Sequence, residues 1–123
     1  AIWGVTFKPG TDDIRESQAV KIIDILLEEG YQIHLSDPEG LKNAKAYYKN
    51  KSTFFFNDKY KALKDVDALL LLTEWKEFMS PDFSRIKDSM NTPIIFDGRN
   101  IYDGEELKSL GFKYFQIGVG KYE

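Results

Sequence analysis

Residues 1–36, AIWGVTFKPGTDDIRESQAVKIIDILLEEGYQIHLS, decide the fold. The run Ala1 to Phe7 is apolar and ends at Pro9-Gly10, the form that a parallel strand takes when both its faces are covered. Beyond it Ala19, Ile22, Ile23, Leu26 and Leu27 recur at steps of three and four, which puts them on one helical face, and Gly30 stops that helix. Ser17 stands where an N-cap hydroxyl accepts a hydrogen bond from a first-turn N–H. Tyr31 to Ser36 then predicts a second strand, closed by Asp37-Pro38. Strand, helix, strand is a βαβ unit with a right-handed connection.

The alternation runs on. Leu41 to Tyr48 reads as a polar helix, Thr53 to Phe56 as a strand, Tyr60 to Leu63 as a helical turn and Asp67 to Leu72 as a strand. Its consecutive leucines, Leu69 to Leu72, suit a central position covered on both faces. Phe83, Ile86 and Met90 space a short amphipathic helix, and Pro93 opens the strand Ile94-Ile95-Phe96. Glu105 to Leu110 predicts a helix ending at Gly111, and Tyr114 to Ile117 a last strand. The expected architecture is α/β, a three-layer Rossmann-like domain with a mainly parallel sheet of about six strands.

A length of 123 residues suits one domain, so residues 1–123 are read as a single unit. With 42% hydrophobic and 30% charged residues the chain fits neither disorder nor a fibrous repeat. A net charge of -3 argues against general affinity for nucleic acid or an anionic membrane, while a few local cations could still hold a small anion. No apolar run approaches the ~20 residues that span a bilayer, and no signal-peptide pattern opens the chain, so a soluble, cytoplasmic protein is expected. The absence of cysteine removes disulfides, thiolate metal sites and cysteine nucleophiles, and the single histidine, His34, argues against a histidine-based metal site or triad; no metal is expected. Chemistry here must come from carboxylates, Lys, Arg or a partner. The first residues already read as a buried strand without a starting Met, which predicts a chain that begins inside a longer protein.

Ligands of open parallel sheets bind beyond the carboxyl ends of the strands, so the loops leaving strands carry the candidates. Phe7 to Ser17 (FKPGTDDIRES), Thr73 to Phe78 (TEWKEF) and Phe96 to Asn100 (FDGRN) would share one edge. Lys8 follows the first strand, where its ammonium could reach a diphosphate or a sugar hydroxyl, or remain an ordinary solvated lysine. Arg15 offers a fixed fork of donors that holds a phosphate or ribose bidentately; a local ion pair with Asp12, Asp13 or Glu16 is the compatible alternative. Arg99 sits in the turn Asp97-Gly98-Arg99, where glycine permits close backbone approach. Asp12 and Asp13, adjacent in a loop, point apart and are read as structural, with Asp13 and Glu16 expected to cap the helix start. Trp75 reads as packing, His34 as structural and the basic stretch 42–51 as a solvated face. No catalytic residue is expected within the chain.

In this order and spacing the motifs resemble the nucleotide-sugar dehydrogenases that oxidise UDP-glucose or GDP-mannose, across essentially the whole chain. FKPGTDDIRES is similar to the signature that opens their C-terminal domain, and TEWKEF followed by IIFDGRNIYD is similar to the UDP-glucose branch. The resemblance implies oxidation of a sugar C6 alcohol to a carboxylate with two NAD in succession, through a cysteine-bound thiohemiacetal and thioester. That cysteine, a first dinucleotide-binding domain and a long connecting helix precede this region in the family, so the isolated chain is expected to be inactive. It would supply half of a cleft. The resemblance further implies that Phe7, Lys8 and Arg99 contact UDP-glucose and that Arg15 contacts NAD, with the N-terminal domain of the same polypeptide as partner and a homo-oligomeric parent. Gln18 stands where the family usually has proline, a change that leaves the cap in place.

Other readings stay open at this point. The substrate could be a neighbouring nucleotide sugar, a UDP-N-acetyl-hexosamine or GDP-mannose. A phosphoacceptor receiver module would explain Asp12-Asp13 and Thr73, but the places for its phosphorylated aspartate and its lysine hold Asn57-Asp58 and Asp97-Gly98-Arg99. A purely structural or oligomerisation module is the third.

Overall fold

The computed structural model describes residues 1–49 and 51–116. Its strands are β1 (Ile2–Trp3), β2 (Ile33–Ser36), β3 (Thr53–Phe55), β4 (Leu69–Leu71), β5 (Ile94–Asp97) and β6 (Lys113–Gln116). Its helices are α1 (Gln18–Glu28), α2 (Leu41–Tyr47), α3 (Lys76–Met79), α4 (Phe83–Ser89) and α5 (Gly104–Ser109), with a 3-10 turn at Lys61–Leu63. Every strand pairing is parallel, and the order across the sheet is β3-β2-β1-β4-β5-β6.

Alternation along β4 explains the leucine run. Leu69 and Leu71 enter one core with Trp3, Phe78, Ile86, Ile95 and Leu107, beneath α3, α4 and α5. Leu70 and Leu72 join the other, with Ile2, Val5, Ile23 and Leu35, beneath α1 and α2. A strand buried on both faces has no polar side to display, hence four leucines in a row. The three layers are those expected from the sequence.

α1 begins and ends as its residues dictate. The Ser17 hydroxyl accepts from Ala19 N at 3.1 Å. At the other end Gly30 N donates to the Leu27 carbonyl and Tyr31 N to that of Leu26, the Schellman arrangement that closes a helix on a glycine. Tyr31 is thereby held in the helix terminus, which is why β2 starts at Ile33 and not at Tyr31.

Further differences bear on function. β1 pairs only through Ile2–Trp3, although burial continues to Thr6, because the N–H groups of Val5 and Thr6 turn to the Asp37 carboxylate. The TEWKEF segment, expected as loop, runs into α3 from Lys76, and Phe78 of that helix stacks on Trp3 with ring centroids 5.1 Å apart. The last strand starts one residue early, at Lys113, and Ile117 lies outside the described residues.

One row of side chains crosses the sheet in register: Phe55, Leu35, Ile2, Leu70, Phe96 and Phe115. Leu35 and Ile2 are fully buried, whereas Phe115, stacked on Phe96, is 49% exposed, because the residues that cover this face come from α1 and α2. Among the described residues no helix covers the β5–β6 half of that face. No helix among the described residues is long and apolar enough to cross a membrane.

Candidate functional site

With all strands parallel, the exits of β1, β4 and β5 share one edge, and β1 and β4 are neighbours although 65 residues of chain lie between Trp3 and Leu69. Strand order reverses between them, the position at which open α/β sheets receive ligands. The three motif loops therefore meet at one edge.

The β1 exit is built around two residues whose role was not evident from sequence. Asp37, at the end of β2 and 4% exposed, accepts from Val5 N and Thr6 N through one oxygen and from Glu39 N and Gly40 N through the other. Thr6, 2% exposed, gathers the neighbouring loops. Its hydroxyl donates to the Lys8 carbonyl at 3.0 Å and accepts from the Trp75 indole at 3.1 Å. Its carbonyl accepts from the hydroxyls of Thr73, at 3.4 Å, and Ser17, at 3.5 Å. The backbone under Phe7 and Lys8 is fixed while both side chains are exposed, and among the described residues Lys8 forms no ion pair.

At the β5 exit a buried carboxylate does the equivalent work. Asp97 is fully buried, and it accepts from the N–H groups of Arg99, Asn100, Ile101 and Tyr102 and from the Tyr114 hydroxyl at 2.6 Å. Burial, followed by the hydrogen bond to Asp97, pushes the Tyr114 phenol well above its usual range, so it stays a donor. Gly98 lets the turn lie against β4: a Cβ there would sit 3.1 Å from the Leu71 carbonyl, whose oxygen accepts from Gly98 N at 2.8 Å.

Arg99 reaches from this turn to the β4 exit. Its Nε donates to Glu74 Oε1 at 2.9 Å and its Nη2 to Glu74 Oε2 at 3.1 Å. The guanidinium holds the Glu74 carboxyl below the usual carboxylate range, chiefly by these hydrogen bonds. The β4 exit thus joins the other two, Trp75 to Thr6 and Glu74 to Arg99.

Arg15 lies just before α1 with its side chain 87% exposed, and Asp13 takes its Nε at 3.0 Å and Nη2 at 2.9 Å. This pair is the one of the named alternatives, Asp12, Asp13 or Glu16, that forms. Asp13 and Glu16 do not cap the helix: the Asp13 side chain serves Arg15, Glu16 sits at a φ of 58°, and Ser17 alone caps. A shallow cavity of about 440 Å³ lies beside Arg15, lined by Asp13, Ile14, Asn43, Ala46 and Tyr47. A larger one, of about 780 Å³, opens at the opposite end of the strands around Ala1, Tyr31 and Asp67, away from the cationic loops. His34 is structural, as expected: its Nδ1 lies 3.0 Å from the Ala62 carbonyl and its ring packs on Phe54 and Phe56.

Residues 1–104 match the family model described as UDP-glucose/GDP-mannose dehydrogenase family, UDP binding domain. The chain belongs to this family. Its curated relatives include a UDP-glucose 6-dehydrogenase of Rickettsia conorii, 42% identical over 96% of this chain and 27% of the relative. Another, from Pseudomonas aeruginosa, is 40% identical over 96% of the chain and 27% of the relative. Among solved structures, a UDP-D-ManNAc dehydrogenase from Pyrococcus horikoshii superposes with a TM-score of 0.75 at 29% identity, covering 98% of this chain and 25% of that one. A UDP-glucose dehydrogenase from Pyrobaculum islandicum gives 0.75 at 25% identity with the same coverage. This UDP binding domain therefore spans about 27% of the length of its curated relatives.

Proposed function

We propose that residues 1–123 are one domain, the C-terminal, substrate-holding half of an NAD-dependent UDP-glucose 6-dehydrogenase that converts UDP-glucose to UDP-glucuronate. The observation that carries this reading is the pairing of the cationic turns with buried carboxylates: Asp37 fixes the backbone that leads to Lys8, and Asp97 fixes Arg99. Anchored backbone carrying an exposed Lys8 ammonium and an Arg99 guanidinium that keeps donors unused beside Glu74 suits an anionic ligand, since the ordering has been accomplished before the ligand arrives. Phe7, Lys8 and Arg99 are assigned to the nucleotide sugar and Arg15 to NAD. The identity to UDP-glucose 6-dehydrogenases favours glucose over an N-acetylated sugar or GDP-mannose.

NAD, when bound, accepts the hydride. The exposed Arg15 guanidinium fits a share in holding it, because its contacts with Asp13 leave donors unused. No residue of the chain is assigned to bond breaking, and no metal is required. The catalytic nucleophile is assigned to the N-terminal domain of the same polypeptide, in a cytoplasmic homo-oligomer that engages neither nucleic acid nor membrane. The exposure of Phe115 beside Phe96, which no other described residue relieves, supports a covering partner within that larger protein, as does a length about 27% of the relatives.

The reading is tested in the complete dehydrogenase. Arg99→Ala should weaken UDP-glucose binding by about 1 to 3 kcal/mol, the loss expected for a charge-assisted contact, in a titration of the nucleotide sugar without NAD. An unchanged affinity would remove Arg99 from the site. Faster turnover of a UDP-N-acetyl sugar than of UDP-glucose would reassign the substrate.

A further inference from the structure

On the reading that Arg99 holds the nucleotide sugar, we propose that Glu74 is the positioning residue that presents the Arg99 guanidinium to it. A guanidinium has five N–H donors on two usable edges: a side edge formed by Nε and one terminal nitrogen, and an end edge formed by both terminal nitrogens. Glu74 occupies the side edge, through Nε–Oε1 at 2.9 Å and Nη2–Oε2 at 3.1 Å. The end edge is left to an incoming anion.

Both anchors of the pair are fixed. Glu74 lies between Thr73, which is 1% exposed and hydrogen-bonded to the Thr6 carbonyl, and Trp75, whose indole donates to the Thr6 hydroxyl. Arg99 N donates to the buried Asp97 carboxylate. Side-chain torsions are the remaining freedom, and the fork removes it. The two side chains are 40% and 36% exposed, so the pair contributes little to folding and its removal should be read in ligand affinity. The pair of Arg15 with Asp13 spans two residues of one loop, whereas Glu74 and Arg99 tie together loops from adjacent strands.

The test is steady-state kinetics of the complete dehydrogenase carrying Glu74→Ala, Glu74→Gln, Arg99→Ala and the double change Glu74→Ala with Arg99→Ala. Glu74→Ala should raise KM for UDP-glucose roughly tenfold, leave KM for NAD unchanged and keep kcat within about twofold. Glu74→Gln should fall between, since its amide oxygen still accepts one N–H. With Arg99 already removed, Glu74→Ala should add nothing, because its effect passes through the guanidinium. A KM for UDP-glucose that stays put or falls in Glu74→Ala, or additive effects in the double variant, overturns the role of Glu74 alone, provided Arg99→Ala raises KM. If Arg99→Ala leaves KM at the wild-type value, the assignment of the substrate site fails first and takes Glu74 with it.

Discussion

Replacing Asp97 with alanine should destabilise the domain by about 3 to 5 kcal/mol, since a buried donor left without its acceptor costs on the order of 1 to 3 kcal/mol and several are orphaned together. Five donors converge on this carboxylate: the N–H groups of Arg99, Asn100, Ile101 and Tyr102, and the Tyr114 hydroxyl. None finds a replacement in a methyl group, and Tyr102 N and the Tyr114 hydroxyl are buried together with Asp97, away from water. A domain of this size has on the order of 5 to 15 kcal/mol in total, and the loss is therefore a large share of it. Asparagine should recover little. Oδ1 receives two donors and Oδ2 three, so an amide nitrogen on either side faces donors with a donor. Urea unfolding of the purified chain reads the effect as a fall in midpoint at constant slope. A change below about 1 kcal/mol would mean that the turn holds its own shape without the carboxylate. In the complete enzyme the same change should weaken UDP-glucose binding, because Arg99 N is one of the donors that lose their anchor.

Much of the fold was legible because its signals are local. The helical spacing of Ala19, Ile22, Ile23, Leu26 and Leu27, the cap at Ser17 and the stop at Gly30 all lie within one element, and the structure follows them. The Leu69 to Leu72 run is equally local: a strand covered on both faces cannot be anything but apolar. The early end of β1 was not legible, since it depends on Asp37, a residue more than thirty positions away that sequence alone marks only as the stop of β2. The α3 helix that begins in TEWKEF spans one turn, too short for a periodicity to register, and it forms because Phe78 finds Trp3 across the core. For the site, the general rule of strand exits picked the loops, and the structure brings those loops to one edge. The partners of the two arginines divide in the same way. Asp13 is two residues from Arg15 and was among the expected candidates, while Glu74 is 25 residues from Arg99 and carries no pattern that announces it. The roles proposed for Phe7, Lys8, Arg15 and Arg99 rest on the resemblance to the family's motifs and not on periodicity.

Gly4→Ala should destabilise the domain by about 2 to 5 kcal/mol, and the reason separates into two parts that can be measured against each other. Gly4 has a φ of +102°, where a Cβ meets its own backbone, a penalty of about 1 to 2 kcal/mol. The added carbon would also lie 2.5 Å from both Cβ and Oγ1 of Thr73 and 2.8 Å from its amide nitrogen, an overlap worth about 1 to 3 kcal/mol. Gly30 isolates the first part: its φ is +93° and a Cβ there meets nothing within 4 Å. Gly30→Ala should therefore show the conformational penalty alone, and the excess in Gly4→Ala is the collision with Thr73. Thr73→Ala should relieve only the Oγ1 contact, because the Cβ and the amide nitrogen of residue 73 remain. Close contact at this point is what lets the β1 and β4 exits lie side by side where strand order reverses, and it sets Thr73 against the Thr6 carbonyl and Trp75 against the Thr6 hydroxyl. Pushing Thr73 away should shift Glu74 along with it, so Gly4→Ala in the complete dehydrogenase is expected to weaken UDP-glucose binding even where the fold survives. Equal unfolding midpoints for Gly4→Ala and Gly30→Ala would show that the two exits can separate without loss, and the case for a site pre-built by their contact would go with it.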